Sequence, residues 1–254
     1  LPKVKPDDLD DVPAAGAKMA RPEGDHAAVL AHNQWKQAVQ GYLATIKFLD
    51  EQIGRLADAV DRSGRADDLV IVLWSDHGWH LGEKQHWRKF ALWEEATRAP
   101  LAFIAPGVTK PGSQCDAPVD FMSIYPTLID LIGLGIPGHI EGPSLRPLLE
   151  NPQVPWDRGA ITTHGRGNHG VRDRQWRYIR YADGSEELYD HHQDPYEWKN
   201  LAGLTRFDAV KQRLAGMLPE QEAEDAPKGR EKAEGVKPRA KKGKKTSVPA
   251  GGAQ

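Results

Sequence analysis

The densest group of side chains capable of chemistry lies between residues 75 and 89, which read SDHGWHLGEKQHWRK. Asp76 and His77 are adjacent there, and such a pair suits a divalent cation because the carboxylate supplies charge and the imidazole a neutral donor. Lys84 and Lys89 follow, and their ammonium groups could hold an anionic group against the cation. The same residues could instead cap a turn, and residue types alone leave both interpretations open.

The elements on either side place this cluster at a sheet edge. Residues 69–74 form an apolar run without alternation, which predicts a strand buried on both faces, as in a parallel sheet covered by helices. Residues 100–105 predict the next strand. Asp76 and His77 then follow the carboxyl end of a strand, where open α/β sheets bind their ligands.

Two helices are expected around these strands. Apolar residues recur at alternating spacings of four and three, which predicts a helix over residues 27–62 whose apolar ridge packs on the sheet. Residues 121–134 predict another helix. Its inward residues are expected to be Met122, Tyr125, Leu128, Ile129 and Ile132.

The pattern changes after residue 150. Short strand candidates at residues 159–163, 169–172, 176–181 and 187–189, followed by a helix near residues 206–217, predict a small antiparallel sheet closed by a helix. The predicted fold class is therefore α/β, a sheet covered by helices followed by a small antiparallel C-terminal sheet with a helix. The predicted division is an irregular segment 1–24, an α/β part 25–150, an α+β subdomain 151–219 and a disordered basic tail 220–254.

The charge, hydropathy and cysteine content of the chain exclude several classes of partner and of metal site. The formal net charge is −2 and the mean hydropathy is −0.62, so we expect neither nucleic acid nor a membrane as partner. Cys115 is the single cysteine, which excludes an internal disulfide and a multi-cysteine metal site within the chain. The basic tail has nine Lys or Arg against two Glu between residues 228 and 245, and a solvated extension explains it more simply than a polyanion site. The sequence gives no oligomeric state.

Several segments together resemble the type I sulfatases of the alkaline-phosphatase superfamily, and within them most closely the iduronate-2-sulfatase-like branch. The segments are SDHGWHLGEK at residues 75–84, HWRK at 86–89, WEEATRAPL at 93–101, YPTL at 125–128, EGPSL at 141–145 and LYD at 188–190. The similarity extends over about residues 27–218, which implies a partial alkaline-phosphatase-like sheet.

The resemblance implies hydrolysis of sulfate esters of a sulfated saccharide, with one bound calcium ion and formylglycine as the nucleophile. By position, Asp76 and His77 match metal ligands and Lys89 matches the catalytic lysine that contacts sulfate. Trp79 and His80 match loop positions beside the substrate. The resemblance also implies export to the periplasm, the exterior or a lysosome.

Three other residues are candidates for substrate binding. Lys84 and His86 flank the loop and could contact sulfate or sugar hydroxyls, although surface positions would explain them equally well. His169 ends a Gly-rich polar stretch, residues 164–169, of the kind that often lines a cleft, with an ordinary hairpin loop as the alternative.

The sequence departs from the family at the nucleophile. Cys115 is followed by Asp116-Ala117-Pro118-Val119 and lacks the family's Arg four residues later. Because the chain starts at Leu1 and offers no counterpart of the family's early Asp-Asp pair, we expect it to be the C-terminal half of a sulfatase, inactive alone. A related phosphodiesterase or phosphonate hydrolase, and a non-catalytic polyanion-binding remnant, are the alternative functions.

Overall fold

The computed structural model describes residues 1–222, so the predicted basic tail lies, from residue 223 onward, outside the described residues. Helices and short strands are interspersed along the first part of the chain, and four consecutive strands follow. In chain order they are α1 (Ala14–Ala20), α2 (Ala27–Ala31), α3 (Trp35–Arg62), β1 (Ile71–Trp74), β2 (His80–Leu81), β3 (Trp87–Arg88), α4 (Glu94–Thr97), β4 (Leu101–Ile104), α5 (Ile124–Leu131), α6 (Arg146–Glu150), β5 (Ala160–Thr163), β6 (His169–Arg172), β7 (Trp176–Arg180), β8 (Glu186–Asp190) and α7 (Asp208–Ala215).

The N-terminal segment contains regular structure, so the prediction that residues 1–24 are irregular is wrong for its second half. Helix α1 runs through them, and Ala20 at its end is buried. Leu9, Val12 and Met19 pack against the cluster that contains Trp93. The prolines and acidic residues suggested a loop, but a few small and apolar side chains are enough to dock this segment on the interior.

The helix predicted over residues 27–62 is present as two helices, α2 and α3. The prediction that its apolar ridge packs on the sheet is not confirmed. The two helices are separated near Asn33, whose φ of +51° is incompatible with a continuous helix. Within residues 1–222, the apolar ridge of α3 is covered only in part: Tyr42 stacks on Trp79, but Leu49 and Leu56 are exposed and no residue of this helix is buried. Trp35, at its first turn, donates from Nε1 to the carbonyl of Leu81 at 2.6 Å and so fixes the start of the helix to β2.

Strands β1 and β4 exist as expected, but they pair antiparallel rather than parallel. Their register places Ile71 opposite Ile104 and Trp74 opposite Leu101. Trp74 is 50% exposed, so the strand is not buried on both faces. An apolar run indicates a strand, but it carries no information about the direction of its neighbour.

Helix α5 is shorter than predicted and turns a different side inward. It covers Ile124–Leu131 after a single 3₁₀ turn at Phe121–Ser123. Ile129 is buried as expected, whereas Met122, Tyr125 and Ile132 are exposed, which corrects the expectation that they face inward. The buried side instead carries Thr127, whose hydroxyl donates to the carbonyl of Ser123 and accepts from the amide of Leu145 at 2.8 Å.

The C-terminal antiparallel sheet is confirmed. Strands β5, β6, β7 and β8 are neighbours in that order, and every pair is antiparallel. Helix α7 packs on one face, where Leu214 joins Val171, Tyr178 and Leu188 in a buried cluster. On the other face, Ile179, Tyr181 and Tyr189 contact Leu92, Trp93 and Ala96, so the sheet also supports the segment that leads into α4.

The architecture is therefore mixed α/β with small antiparallel sheets, as the fold class predicted. Helix α3, at 28 residues, has the length to cross a bilayer, but it is too polar, and no other helix within residues 1–222 is both long and apolar enough.

Candidate active site

The predicted metal pair lies in the loop that follows β1. The loop is fixed at its start by the amide of Ser75, which donates to Pro100 O at 3.2 Å. His77 Nε2 and Asp76 Oδ2 lie 3.4 Å apart, so the two side chains face each other. The Asp76 side chain is 77% exposed, and its carboxylate is open to a ligand.

The donor atoms fit a single cation. His77 Nδ1 lies 2.7 Å from Gly78 O, and because a carbonyl only accepts, Nδ1 carries a proton; in the neutral ring, Nε2 then keeps its lone pair. Ligands held at about 2.3–2.6 Å from one calcium ion lie roughly 3–4 Å from each other, which agrees with the distance between Nε2 and the Asp76 oxygen. The pair supplies two of the ligands that a hard cation needs.

Gly78 holds this loop against α4. Its amide donates to Ala96 O at 2.8 Å. A Cβ at this position would lie 2.0 Å from the carbonyl oxygen of Glu95, so only glycine allows this approach. The orientation of the Asp76 and His77 pair is therefore set by contact with α4.

An aromatic stack borders the pair. The ring of Trp79 lies between Tyr42 of α3 and His77, with centroid distances of 5.9 Å to each. An open cleft of about 380 Å³ lies between α3 and this loop; its lining includes Tyr42, Ile46, Leu49, His77 and Trp79. Trp79, which the sequence predicted beside the substrate, thus contacts the metal pair and this cleft.

Lys89 follows the ribbon formed by β2 and β3. His80 pairs with Arg88 and Leu81 with Trp87, so the chain reverses and returns toward the loop that carries Trp79. Lys89 is half-buried, and its Nζ lies 5.6 Å from the centre of the Phe90 ring. Lys89 therefore follows the arm of the ribbon that pairs with His80, and its contact with sulfate stays a prediction.

The remaining predicted substrate-binding residues are all interior. His80, Lys84, His86 and His169 are at most 5% exposed. A side chain closed off from solvent cannot meet a substrate, so the structure corrects their assignment as substrate contacts. Hydrophilic residue type suggested the surface, but each of these side chains has polar partners inside the molecule.

Lys84 occupies the tip of the ribbon and points inward. Its φ is +51°, and that of Gln85 is +50°, an uncommon conformation for two consecutive residues with side chains. Its Nζ donates to Asp8 Oδ1 at 2.8 Å and to the carbonyl of Glu197, and it lies 5.1 Å from the centre of the Tyr189 ring. Burial raises the pKa of Asp8 more than the Lys84 ammonium lowers it.

His169 is also held internally. Its Nδ1 lies 2.8 Å from the hydroxyl of Thr163, and its Nε2 lies 3.1 Å from Glu222. Both ring nitrogens are therefore used by protein groups at the end of the C-terminal sheet.

A second charged group, which the sequence did not reveal, joins α4 to the C-terminal sheet. Glu197 Oε1 lies 2.5 Å from Arg177 Nε and 2.8 Å from His191 Nε2, and its Oε2 accepts from the amide of Glu94 at 3.0 Å. Arg177 also pairs with the carboxylate of Glu94. Only folding brings residues 94, 177 and 197 together, so no local pattern could have indicated this network.

This network is a poor metal site despite its donors. Within residues 1–222, Glu94, His191 and Glu197 place one donor atom each within 4.8 Å of one another. The guanidinium of Arg177 already contacts both carboxylates, and a cation would have to displace it. Burial alone would raise the pKa of Glu197, but Arg177 and His191 outweigh it and lower the pKa to about 2.

Comparison with known proteins places this geometry in context. Residues 6–134 match the family described as Sulfatase, and residues 82–224 match the family described as N-sulphoglucosamine sulphohydrolase, C-terminal. The chain is 42% identical over 226 residues to a protein named Sulfatase from Formosa agariphila, covering 87% of this chain and 44% of that protein. The chain thus spans less than half the length of that relative.

Two solved structures are similar. One is a protein in complex with its substrate D-glucosamine-2-N,6-O-disulfate, at 30% identity and a TM-score of 0.66, covering 72% of this chain and 40% of that one. The other is a phosphonate monoester hydrolase from Silicibacter pomeroyi, at 26% identity and a TM-score of 0.71, covering 85% of this chain and 48% of that one.

Replacing Lys84 with methionine tests the buried ion pair. Lys84→Met leaves the Asp8 carboxyl buried without its cation, so we expect the free energy of unfolding to fall by about 3–5 kcal/mol. The measurement is urea denaturation followed by circular dichroism. The exposed pair Lys47–Glu51 provides the control, and Lys47→Met should cost about 1 kcal/mol or less. Equal losses for the two variants would contradict the importance of the buried pair.

Glu95 gives a pH-dependent test. Burial, reinforced by the carboxylates of Glu197 and Glu83, raises the pKa of Glu95 from 4.5 to about 8. The folded state therefore keeps a proton that the unfolded state releases, and stability is lost as pH rises from 4.5 through 8. Glu95→Gln removes this dependence, so the variant should gain stability relative to the wild type as pH increases over that range.

Urea denaturation at pH 5, 6.5 and 8 measures the trend, with Glu23→Gln at an exposed position as the control. A difference between Glu95→Gln and the wild type that stays constant from pH 5 to pH 8 would show that Glu95 is not protonated in the folded state.

Proposed function

The chain belongs to the sulfatase family, and we propose that the whole protein is a metal-dependent sulfuric ester hydrolase acting on sulfated saccharides. The observation that carries this proposal is the 3.4 Å approach of His77 Nε2 to the Asp76 carboxylate, in a loop held rigidly on α4 by Gly78. Both residues lie within the part of the chain that matches the Sulfatase family.

In the proposed site, Asp76 and His77 would hold a calcium ion together with oxygen ligands from elsewhere in the whole protein. When bound, the ion stabilises negative charge that develops on sulfate oxygens and on the leaving oxygen. The Asp76 carboxylate provides the ionic attraction, and the Nδ1–H bond to Gly78 keeps the His77 lone pair directed away from its own backbone.

Lys89 is the proposed catalytic cation of the chain. Its ammonium would contact the sulfate group and stabilise the charge that grows in the transition state, a role for which a fixed positive group is effective. Two observations support this role. Among residues 1–222, the ammonium of Lys89 has no carboxylate or carbonyl partner, whereas the ammonium of Lys84 is paired with Asp8.

The proposed substrate class is a sulfated saccharide, with the iduronate-2-sulfatase-like branch as the finer proposal. The related structure contains a doubly sulfated glucosamine, which supports a sugar. The aromatic rings of Trp79 and Tyr42 beside the metal pair offer an apolar surface of the kind against which sugar rings pack. Export of the whole protein to the periplasm, the exterior or a lysosome is proposed on the family resemblance alone.

The nucleophile is proposed to be a formylglycine outside these 254 residues. Cys115 does not suit that role, because the Arg that follows the family's nucleophile is missing from its surroundings and its Sγ lies 3.6 Å from Pro152 O, on an exposed loop. No step of the mechanism is assigned to Cys115.

A phosphonate or phosphate ester hydrolase is the second candidate, favoured by the similarity to the Silicibacter pomeroyi enzyme. The same carboxylate, imidazole and ammonium could bind a phosphonate. The ratio of kcat/KM for an aryl sulfate to that for an aryl phosphonate, measured on the whole protein, separates the two. A protein that turns over neither substrate but binds sulfated polymer would instead be the non-catalytic alternative.

Asp76→Asn tests the metal assignment. In the whole protein, loss of the carboxylate charge should abolish calcium binding measured by isothermal titration calorimetry, and should lower kcat/KM for an aryl sulfate by about 10²-fold or more. Asp50→Asn, on the exposed surface of α3, is the matched control and should leave both values unchanged. Calcium binding and turnover that both survive in Asp76→Asn would overturn the assignment.

Lys89→Ala tests the sulfate contact. We expect kcat/KM to fall by about 10²-fold while calcium affinity is unchanged, because the ammonium acts on the substrate and not on the metal. Lys47→Ala, an exposed lysine of α3, should retain full activity. A loss of less than threefold for Lys89→Ala would remove Lys89 from the site.

A further inference from the structure

Two buried histidines in the β2–β3 ribbon have no role in the proposed reaction. His80 lies on the first arm and is fully buried, and His86 immediately precedes the second arm and is 5% exposed. Their ring centroids are 4.8 Å apart and the ring planes are inclined by 73°. The ring of Trp93 lies beside both, at 6.0 and 6.5 Å.

The backbone fixes the tautomer of each ring. His80 Nδ1 lies 3.2 Å from Glu83 O, and His86 Nδ1 lies 2.8 Å from Ala20 O. A carbonyl oxygen only accepts, so each Nδ1 must carry the hydrogen and each Nε2 must present a lone pair. Donation from one nitrogen to a backbone carbonyl is how histidines that bind metals are usually oriented.

Both Nε2 atoms are buried without a partner. Among residues 1–222, no protein donor lies within hydrogen-bond distance of His80 Nε2 or of His86 Nε2. An unpaired buried acceptor is destabilising, so a group that reached both nitrogens would stabilise the folded state.

Burial keeps both rings neutral, and the positive groups near them are partly offset by carboxylates. Burial lowers the pKa of His80 to about 3 and also lowers that of His86. The nearest ammonium, that of Lys84, is neutralised by Asp8 at 2.8 Å, and the Glu197 carboxylate acts on His80 in the opposite sense to Lys84.

We propose that His80 and His86 together bind one divalent transition metal ion of the zinc type through their Nε2 atoms. Two imidazoles that coordinate one ion at about 2.0–2.1 Å have centroids roughly 4.5–5.2 Å apart, which includes the observed 4.8 Å. Water would complete the coordination. The site is chemically distinct from the Asp76 and His77 pair, because imidazole nitrogens favour zinc and its neighbours whereas calcium favours oxygen.

Such an ion would join the two arms of the ribbon to each other and, through His86, to the end of α1 at Ala20. It would therefore stabilise the folded state in proportion to its concentration. The role is structural and does not depend on the proposed hydrolase activity.

The test is a titration of the metal-stripped chain with Co²⁺ and Zn²⁺. Asp76→Asn serves as the background so that the loop pair does not contribute. We expect one equivalent of Co²⁺ to bind with the visible absorption of imidazole ligation, Zn²⁺ to displace it, and Zn²⁺ to raise Tm. His86→Leu fills the same volume without a donor and should weaken Zn²⁺ binding at least tenfold. His192→Gln, at an exposed position, should bind as the background does.

Unchanged Zn²⁺ affinity in His86→Leu would overturn the proposal. A background protein that is folded but binds no Zn²⁺ would also overturn it, and a bridging water would then explain the two unpaired nitrogens. If His86→Leu fails to fold by circular dichroism, X-ray absorption of the Zn²⁺-loaded background protein decides instead. Two imidazoles in the first coordination sphere support the site, and one or none refutes it. Neither measurement depends on turnover, so failure of the metal-site proposal can be distinguished from failure of the hydrolase proposal.

Discussion

The buried ammonium of Lys84 is the constraint on which the rest of the described structure depends. It contacts Asp8 from the N-terminal segment and the carbonyl of Glu197 from the segment after β8, which are distant in sequence. To reach them, the ribbon turns through two residues with positive φ, at Lys84 and Gln85. Interior contacts compensate for this uncommon backbone, because a buried charge without partners is far more costly than a strained turn.

A chain of contacts through α4 links the C-terminal sheet to the loop that carries Asp76 and His77. Arg177 of β7 donates to Leu92 O at 3.1 Å and pairs with Glu94, which fixes the start of α4. In turn, the amide of Gly78 donates a hydrogen bond to the carbonyl of Ala96 in α4. The loop that carries Asp76 and His77 is therefore supported by a sheet whose strands begin more than eighty residues later. A sheet that carries none of the proposed site residues thus supports the loop that carries Asp76 and His77.

The histidines of the loop and of the ribbon lie in different environments, which is why we propose different roles for them. His77 faces a carboxylate at a partly open position, which suits a hard cation that also needs oxygen ligands. His80 and His86 are enclosed, neutral and oriented by carbonyls, which suits a softer ion. Residue type alone would treat these three imidazoles as equivalent. Burial and the partner of each Nδ1 separate them.

The sequence by itself determined the local elements and the chemistry of the loop. The apolar run ending at Trp74, the long amphipathic stripe of α3, the C-terminal strands and the adjacent Asp76 and His77 all depend on neighbours within a few residues, so periodicity and residue type were sufficient. The family assignment followed from the same short segments.

Only the tertiary structure decided which side chains face solvent and which strands pair. Lys84 and His86 looked like surface groups, but their partners Asp8 and Ala20 lie 76 and 66 residues away along the chain. The antiparallel pairing of β1 with β4 and the network around Glu197 are likewise contacts between distant segments. A sequence pattern reports the preference of each segment, whereas burial and pairing depend on which segments meet, and that is settled by the packing of the whole chain.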